Sequence, residues 1–277
     1  LREQLSRTLQ PGFGAVLRDR FGTEDEVYFG FRQGYLASHS DANQGDCVLY
    51  AHGVPMTTVS VKGYAIHQKK AYKNLYHQFG WFSRVRFGEM SNAGPWPGGG
   101  AVSGVHRHFF GPSTDYLRAL GDYGPQRWTR QVMFMKSQES GKAGYFLFRD
   151  SFRPLDGNPS TLQKKWWYQR TLGTKDQVEP TENGFVYTSE WGPKMEVRTL
   201  QPGKVAVQSR DAGITMKLHS RALARGWKET HPGEQFTESI TVNALGPVEA
   251  GRDILVTMTP LKGGQAAPKA VRLADGA

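Results

Sequence analysis

One cysteine, Cys47, is all the thiol chemistry that this 277-residue chain contains, so it has no intrachain disulfide and no zinc-finger cysteine spacing. Cys47 stands in an apolar, strand-like run, Cys47-Val48-Leu49-Tyr50, with no histidine beside it, and is expected to be a buried, inert thiol. No apolar stretch approaches the roughly 18 residues that a membrane-spanning helix requires, so no membrane partner is expected. Basic amphipathic helices and helix-turn-helix patterns are missing too, and with them the usual equipment for nucleic acid. There is no internal repeat and no glycine-rich phosphate loop. Sustained helical periodicity is also scarce, which excludes a helical bundle.

The chain does hold 33 glycines, 15 prolines and 12% aromatic residues, a turn-rich, aromatic-rich composition typical of β-sandwiches. Short strand candidates follow one another along it. Val27-Tyr28-Phe29-Gly30-Phe31, Cys47-Val48-Leu49-Tyr50, Val85-Arg86-Phe87 and residues 131–135 and 145–148 come first. Residues 166–168, 185–188, 195–199, 205–208, 214–218, 239–242 and 254–258 follow. Turn formers such as Asp156-Gly157-Asn158-Pro159, Asn183-Gly184 and Asp211-Ala212-Gly213 separate them. The expected fold is all-β: a large antiparallel β-sandwich of stacked sheets with long loops and at most a short N-terminal helix. Residues 1–12 read as a linker or short helix stopped by Pro11-Gly12, 13–262 as the sandwich and 263–277 as a flexible tail. One helical turn is expected within 113–123, and 91–104 reads as a long loop. Because the sequence opens at Leu1, a removed leader, a removed upstream domain and a trimmed chain all fit it.

A formal charge of +10 attracts polyanions at long range, although the basic residues are scattered and also fit a plain basic surface. Three groups of residues have the chemistry to exploit that attraction. His39, Asp41 and Asn43 share one face if their segment is extended. There they can hydrogen-bond sugar hydroxyls or hold a metal, or alternatively cap a turn through their own backbone. Tyr64, flanked by Gly63, has a phenol able to donate or remove a proton, and reads otherwise as a rim aromatic. Arg84, Arg86, Arg127 and Arg130 carry the fork that matches a carboxylate or sulfate. For Arg130 the competing role is structural, pinning a hairpin with Asp150. Trp96, in the loop Pro95-Trp96-Pro97-Gly98-Gly99-Gly100, is a platform for a sugar ring, and at most one of Trp166 and Trp167 faces any ligand. His106 and His108 share a face if their segment is extended, giving two more polar contacts. Asp41 and Asp46 are the sole candidate pair of hydrolytic carboxylates and lie too close in sequence to face each other across a cleft.

The order of these motifs resembles the C-terminal β-sandwich domain of the heparinase II/III-like polysaccharide lyases. Phe31-Arg32-Gln33-Gly34 leads into Ser38-His39-Ser40-Asp41-Ala42-Asn43, and Gly53-Val54-Pro55 follows the first apolar burst. Trp128-Thr129-Arg130-Gln131-Val132-Met133-Phe134, Tyr145-Phe146-Leu147-Phe148-Arg149-Asp150 and the closing Asp253-Ile254-Leu255-Val256-Thr257-Met258-Thr259-Pro260 continue it. The resemblance implies β-elimination at a uronate of an acidic polysaccharide, in a periplasmic or secreted protein. His39 and Tyr64 would be the catalytic groups, with Asp41, Asn43, Arg84, Trp96, His106 and His108 as substrate contacts. It implies as partner an N-terminal α/α-toroid domain of the same protein, and without that half the chain alone is expected to be inactive. The family's zinc would use the loop histidine, a later aspartate and a later histidine. Here the aspartate position falls within Met56-Thr57-Thr58 and the histidine position reads Phe82-Ser83, so no metal and no other cofactor is expected. A non-catalytic carbohydrate-binding or scaffolding sandwich descended from such a domain is the alternative.

Overall fold

The computed structural model describes residues 7–10, 13–33, 44–57, 83–87, 103–123, 125–137, 139, 141–200, 206–217 and 237–269. Among the described residues, seventeen strands in three antiparallel sheets make up the regular structure, with two single 3-10 turns at Pro159–Thr161 and Lys175–Gln177. β1 (Arg7–Gln10), β2 (Gly14–Asp19), β3 (Val27–Arg32), β4 (Cys47–Ala51) and β5 (Val54–Pro55) form a five-stranded meander in chain order. A four-stranded sheet comprises β6 (Val85–Phe87), β11 (Lys165–Leu172), β15 (Ala206–Lys217) and β16 (Thr237–Val248), ordered β15-β16-β11-β6. The largest sheet gathers β7 (Ser103–Phe110), β8 (Thr114–Tyr123), β9 (Gln126–Met135), β10 (Tyr145–Pro154), β12 (Val178–Thr181), β13 (Gly184–Thr188), β14 (Lys194–Thr199) and β17 (Ile254–Leu261). Its order is β12-β13-β14-β17-β10-β9-β8-β7.

Two-residue periodicity explains why these segments are strands. Along β9 every second side chain, from Gln126 through Trp128, Arg130, Val132 and Phe134, is buried while its neighbours are half-exposed. One apolar core collects the inward residues of all three sheets: Leu17, Phe29 and Leu49 from the first, Val132, Phe146 and Val256 from the largest, Val85, Trp167 and Leu245 from the third. Phe146 stacks between Phe134 and Phe29, its ring centre 4.2 Å from one and 4.6 Å from the other. Each such buried ring contributes about 1.5–3 kcal/mol of transfer free energy.

The all-β stacked-sheet architecture is the expected one. Three local expectations change. Arg7–Gln10 is a strand rather than part of a helix, because its backbone pairs with β2 from Arg7↔Leu17 to Gln10↔Gly14. Residues 114–123 are likewise extended, with Asp115, Leu117 and Ala119 all turned inward, which a helical turn would not allow. The expected tail is held at its start, where Gln265 Nε2 donates to the Gly141 carbonyl at 3.0 Å.

Candidate functional site

The segments carrying His39, Asp41, Asn43, Tyr64 and Trp96 lie outside the described residues. The structure does describe the backbone on either side of them. β3 and β4 stay paired beyond their ends: Arg32 N–H donates to Asp46 at 2.9 Å and Gly45 N–H donates to Arg32 at 2.8 Å. Arg32 and Gly45, on either side of segment 34–43, are therefore held next to each other. Gly45 has a φ of 76°, and a Cβ there would lie 2.3 Å from the Trp128 ring, so this corner requires glycine.

Beneath that corner lies a buried polar network joining the three sheets. Arg130 on β9 and Asp150 on β10 are directly opposed partners. Nε and Nη2 of Arg130 donate to the two Asp150 oxygens at 2.7 and 2.9 Å, and Trp128 Nε1 donates to the same carboxylate at 2.6 Å. Nη1 of Arg130 reaches across to the Gly45 carbonyl at 2.6 Å and, more loosely, to the Ser83 carbonyl at 3.4 Å. Asp46 accepts from the backbone N–H groups of Ser83 and Cys47 at 2.8 and 3.0 Å and from Arg170 Nη2 at 2.7 Å. Ser83 Oγ accepts from Gln169 Nε2 at 3.0 Å and from the Arg170 N–H at 3.1 Å. Arg130 and Asp46 thus tie Gly45, where segment 34–43 ends, to Ser83, where segment 58–82 ends. The expectation that Arg130 and Asp150 pin a hairpin is met. Nothing in the sequence showed that the same arginine also fastens two distant chain segments.

Electrostatics follow from enclosure. Burial pushes the Asp46 carboxyl above its ordinary range, against the pull of Arg170 and of the Ser83 and Cys47 N–H groups. For Arg130, burial alone favours the neutral form, but the charge and hydrogen bonds of Asp150 outweigh it and raise its pKa. Burial first of all lifts the Cys47 thiol to about 12, consistent with an inert side chain. Asp46, enclosed and paired with Arg170, offers no free carboxylate for hydrolytic chemistry.

Arg84 is fully buried, with its guanidinium carbon 5.0 Å from the centre of the Trp128 ring. A side chain with no exposed area cannot touch a polymer in this conformation, so its expected place as a surface clamp is corrected to one beneath the surface. Trp167 faces the main core and Trp166 a second cluster with Tyr168, Val242 and Ala244, so neither forms an open sugar platform. His106 and His108 are exposed on β7, the edge strand of the largest sheet. A β-bulge between Val105 and Arg107 interrupts the regular alternation at His106, and the His108 ring lies 5.1 Å from that of Phe110. Among the described residues no three His, Cys, Asp or Glu side chains come together in a metal-binding group.

No protein-family model matches the chain, and no curated protein matches it in sequence. Solved structures do match in shape. Heparan sulfate lyase HepC from Pedobacter heparinus aligns over 93% of this chain with a TM-score of 0.61 and 14% identity. Another structure, named heparinase III, aligns over 90% with a TM-score of 0.59 and 14% identity, and a further heparinase III gene product over 92% with 0.61 and 11%. The chain spans only 35–36% of the length of these proteins. The expected likeness to heparinase-type lyases is therefore present at the level of fold.

Proposed function

We propose that this chain is the β-sandwich portion of a polysaccharide lyase, forming one wall of a cleft for a uronate-containing acidic polysaccharide cleaved by β-elimination. The observation that carries the reading is the convergence at Arg130. The ends of the segments bearing His39 and Tyr64 are tied to one buried ion network, in a fold shared with about a third of the length of heparan sulfate lyase HepC.

The chemistry asks for three things. A weakly acidic proton beside a carboxylate must be removed, the carboxylate's charge must be offset, and the departing glycosidic oxygen must be protonated. His39 and Tyr64 are assigned the proton transfers, Asp41, Asn43, Trp96, His106 and His108 the holding of the sugar, and Arg84 a supporting place beneath them. An N-terminal α/α-toroid half of the same protein would supply the opposite wall, and the whole would work in the periplasm or outside the cell. No cofactor is assigned.

Incubating the chain with heparin, alginate and hyaluronan while following the ultraviolet absorbance of unsaturated products is expected to give no turnover. His39→Ala is expected to weaken binding of the polymer that binds best. Robust turnover by the isolated chain would overturn the missing-half reading. A second reading, a non-catalytic carbohydrate-binding or scaffolding sandwich, is favoured by Met56-Thr57-Thr58 and Phe82-Ser83 standing at the family's zinc positions. Under it, Trp96→Ala weakens glycan binding while His39→Ala leaves it unchanged.

A further inference from the structure

The outward face of the largest sheet carries a pair of arginines at its β7 edge. Arg107 on β7 and Arg118 on β8 are directly opposed partners. Directly opposed residues in an antiparallel ladder stand about 5 Å apart at Cβ, and like charges placed so repel. Among the described residues neither guanidinium has a carboxylate within ion-pair distance, and Arg118 Nε is buried without a hydrogen-bond partner. Of the other arginines on this face, Arg127 is answered by Asp122 at 2.6 Å, Arg149 by Asp253 at 2.8 Å and Arg198 by Glu196, while Arg153, directly opposite Arg127, has no ion pair among the described residues. Next to Arg118 in the following strand is the neutral Gln131, not an acid. The acidic residue of β8 nearest this pair, Asp115, points to the other side of the sheet and is taken by Arg7 and Lys136.

One row along, Phe109 is directly opposed to Tyr116 on the same outward face. Phe109 is 60% exposed, and the Tyr116 hydroxyl is fixed by a 3.0 Å bond from Gln131 Nε2. Two guanidinium forks at opposed positions, with two aromatic side chains in the next row, form a surface for a ligand that alternates anionic groups with apolar ring faces.

We infer that this face is a second binding surface for an acidic polysaccharide, with Arg107 and Arg118 sharing a sulfate or carboxylate and Phe109 and Tyr116 underlying the adjoining sugar ring. It lies on the face of the sheet opposite to the Arg130 side chain, which is turned inward. The class of polymer rests on the proposed function; the location does not. Two unanswered charges on a flat sheet favour a glycan over a nucleic acid, whose binding usually engages many more phosphates.

The test uses heparin as probe, measuring affinity by calorimetry over a range of salt. Arg107→Glu/Arg118→Glu is compared with Lys175→Glu/Lys194→Glu, a pair of exposed sites at the opposite end of the sheet order with the same change in net charge. The arginine pair is expected to weaken binding more than tenfold and to flatten its salt dependence, and the lysine pair to weaken it less than twofold. Arg107→Lys/Arg118→Lys is expected to fall between, because an ammonium lacks the fork. Circular dichroism checks folding. Should the double variant not fold, Arg107→Glu, at an exposed position, serves alone. Equal weakening by both charge-reversal pairs, or none by the arginine pair, would overturn the inference, as would equally tight binding of single-stranded DNA. If His39→Ala abolishes heparin binding and the arginine pair does not, this surface is refuted and the proposed cleft stands. If the arginine pair alone matters, this surface stands without it.

Discussion

Replacing Arg130 by methionine puts the buried network to a quantitative test. Arg130 is 1% exposed and its partner Asp150 is fully enclosed. Methionine retains much of the apolar stem but leaves Asp150 charged in the interior, with the Trp128 N–H at 2.6 Å as its remaining bond from a side chain of the network. Removing one partner of a buried ion pair costs about 3–5 kcal/mol. The Gly45 carbonyl also loses its 2.6 Å donor, and an orphaned buried acceptor costs about 1–3 kcal/mol more. The single variant should therefore lose about 4–8 kcal/mol, a large part of the roughly 5–15 kcal/mol that holds a typical domain together.

The double variant Arg130→Met/Asp150→Leu removes both charges, and replacing a buried pair by apolar residues of similar volume is often neutral. It still orphans Trp128 Nε1 and the Gly45 carbonyl, so it should lose about 2–6 kcal/mol, with no penalty for a lone buried charge and therefore less than the sum of the two single changes. Urea unfolding followed through the fluorescence of the buried Trp128 and Trp167 measures all members of the cycle. A loss below about 1 kcal/mol for Arg130→Met, or a double variant no better than the sum of the singles, would refute the account of the network as mutually compensating charges.

Further outcomes follow from the same buried groups. Lys165 is buried, with its Nζ 4.1 Å from the centre of the Phe152 ring and donating to the Ala250 carbonyl. Burial lowers its pKa from 10.5 to about 8. Between those values the unfolded chain binds the proton more tightly than the folded one, so stability rises with pH across that window. Lys165→Met should remove that rise, which urea midpoints at pH 7.5, 9 and 10.5 for both proteins will reveal; parallel curves would contradict it. Cys47, with its thiol at about 12 and no exposed surface, should react with a chromogenic disulfide reagent at least a hundredfold more slowly in buffer than in urea. Gly45→Ala, at φ 76° and 2.3 Å from Trp128, should cost about 2 kcal/mol or more from strain and overpacking combined, read as a lowered Tm; an unchanged Tm would count against the described corner.

The sequence reveals the strands whose faces differ sharply. Val27-Tyr28-Phe29-Gly30-Phe31 and Cys47-Val48-Leu49-Tyr50 each fall inside an observed strand, because an inward apolar residue alternates with a more exposed one, and Val85-Arg86-Phe87 is a strand as well. β7 and β8 are less legible. As an edge strand β7 presents His106, Arg107, His108 and Phe109 to solvent in succession, and its bulge breaks what alternation remains. In β8 the inward set includes the charged Asp115, stabilised there by Arg7 and Lys136, so a pattern of apolar residues misses it. Arg130 and Asp150 are legible as a pair because they are close in sequence and sit on neighbouring strand candidates. Asp46 and Arg170 are 124 positions apart and Ser83 is 37 from Asp46; contacts at such separations leave no local period.

The site's segments are visible in sequence as motifs, but the reason they belong together is a tertiary one. An apolar plug at the junction of the sheets would be easier to bury than three arginines and two aspartates. What the polar network adds is direction. Arg130 bonds Gly45 and Ser83 in the same plane as it bonds Asp150, and Asp46 bonds Ser83 while paired with Arg170, so sliding one sheet against another breaks several bonds at once. Apolar contacts tolerate such sliding, because the hydrophobic effect has no preferred angle. Under the proposed function, in which His39 and Tyr64 meet the same sugar, the residues flanking their segments need to be held in register, and fork-shaped hydrogen bonds between sheets meet that need.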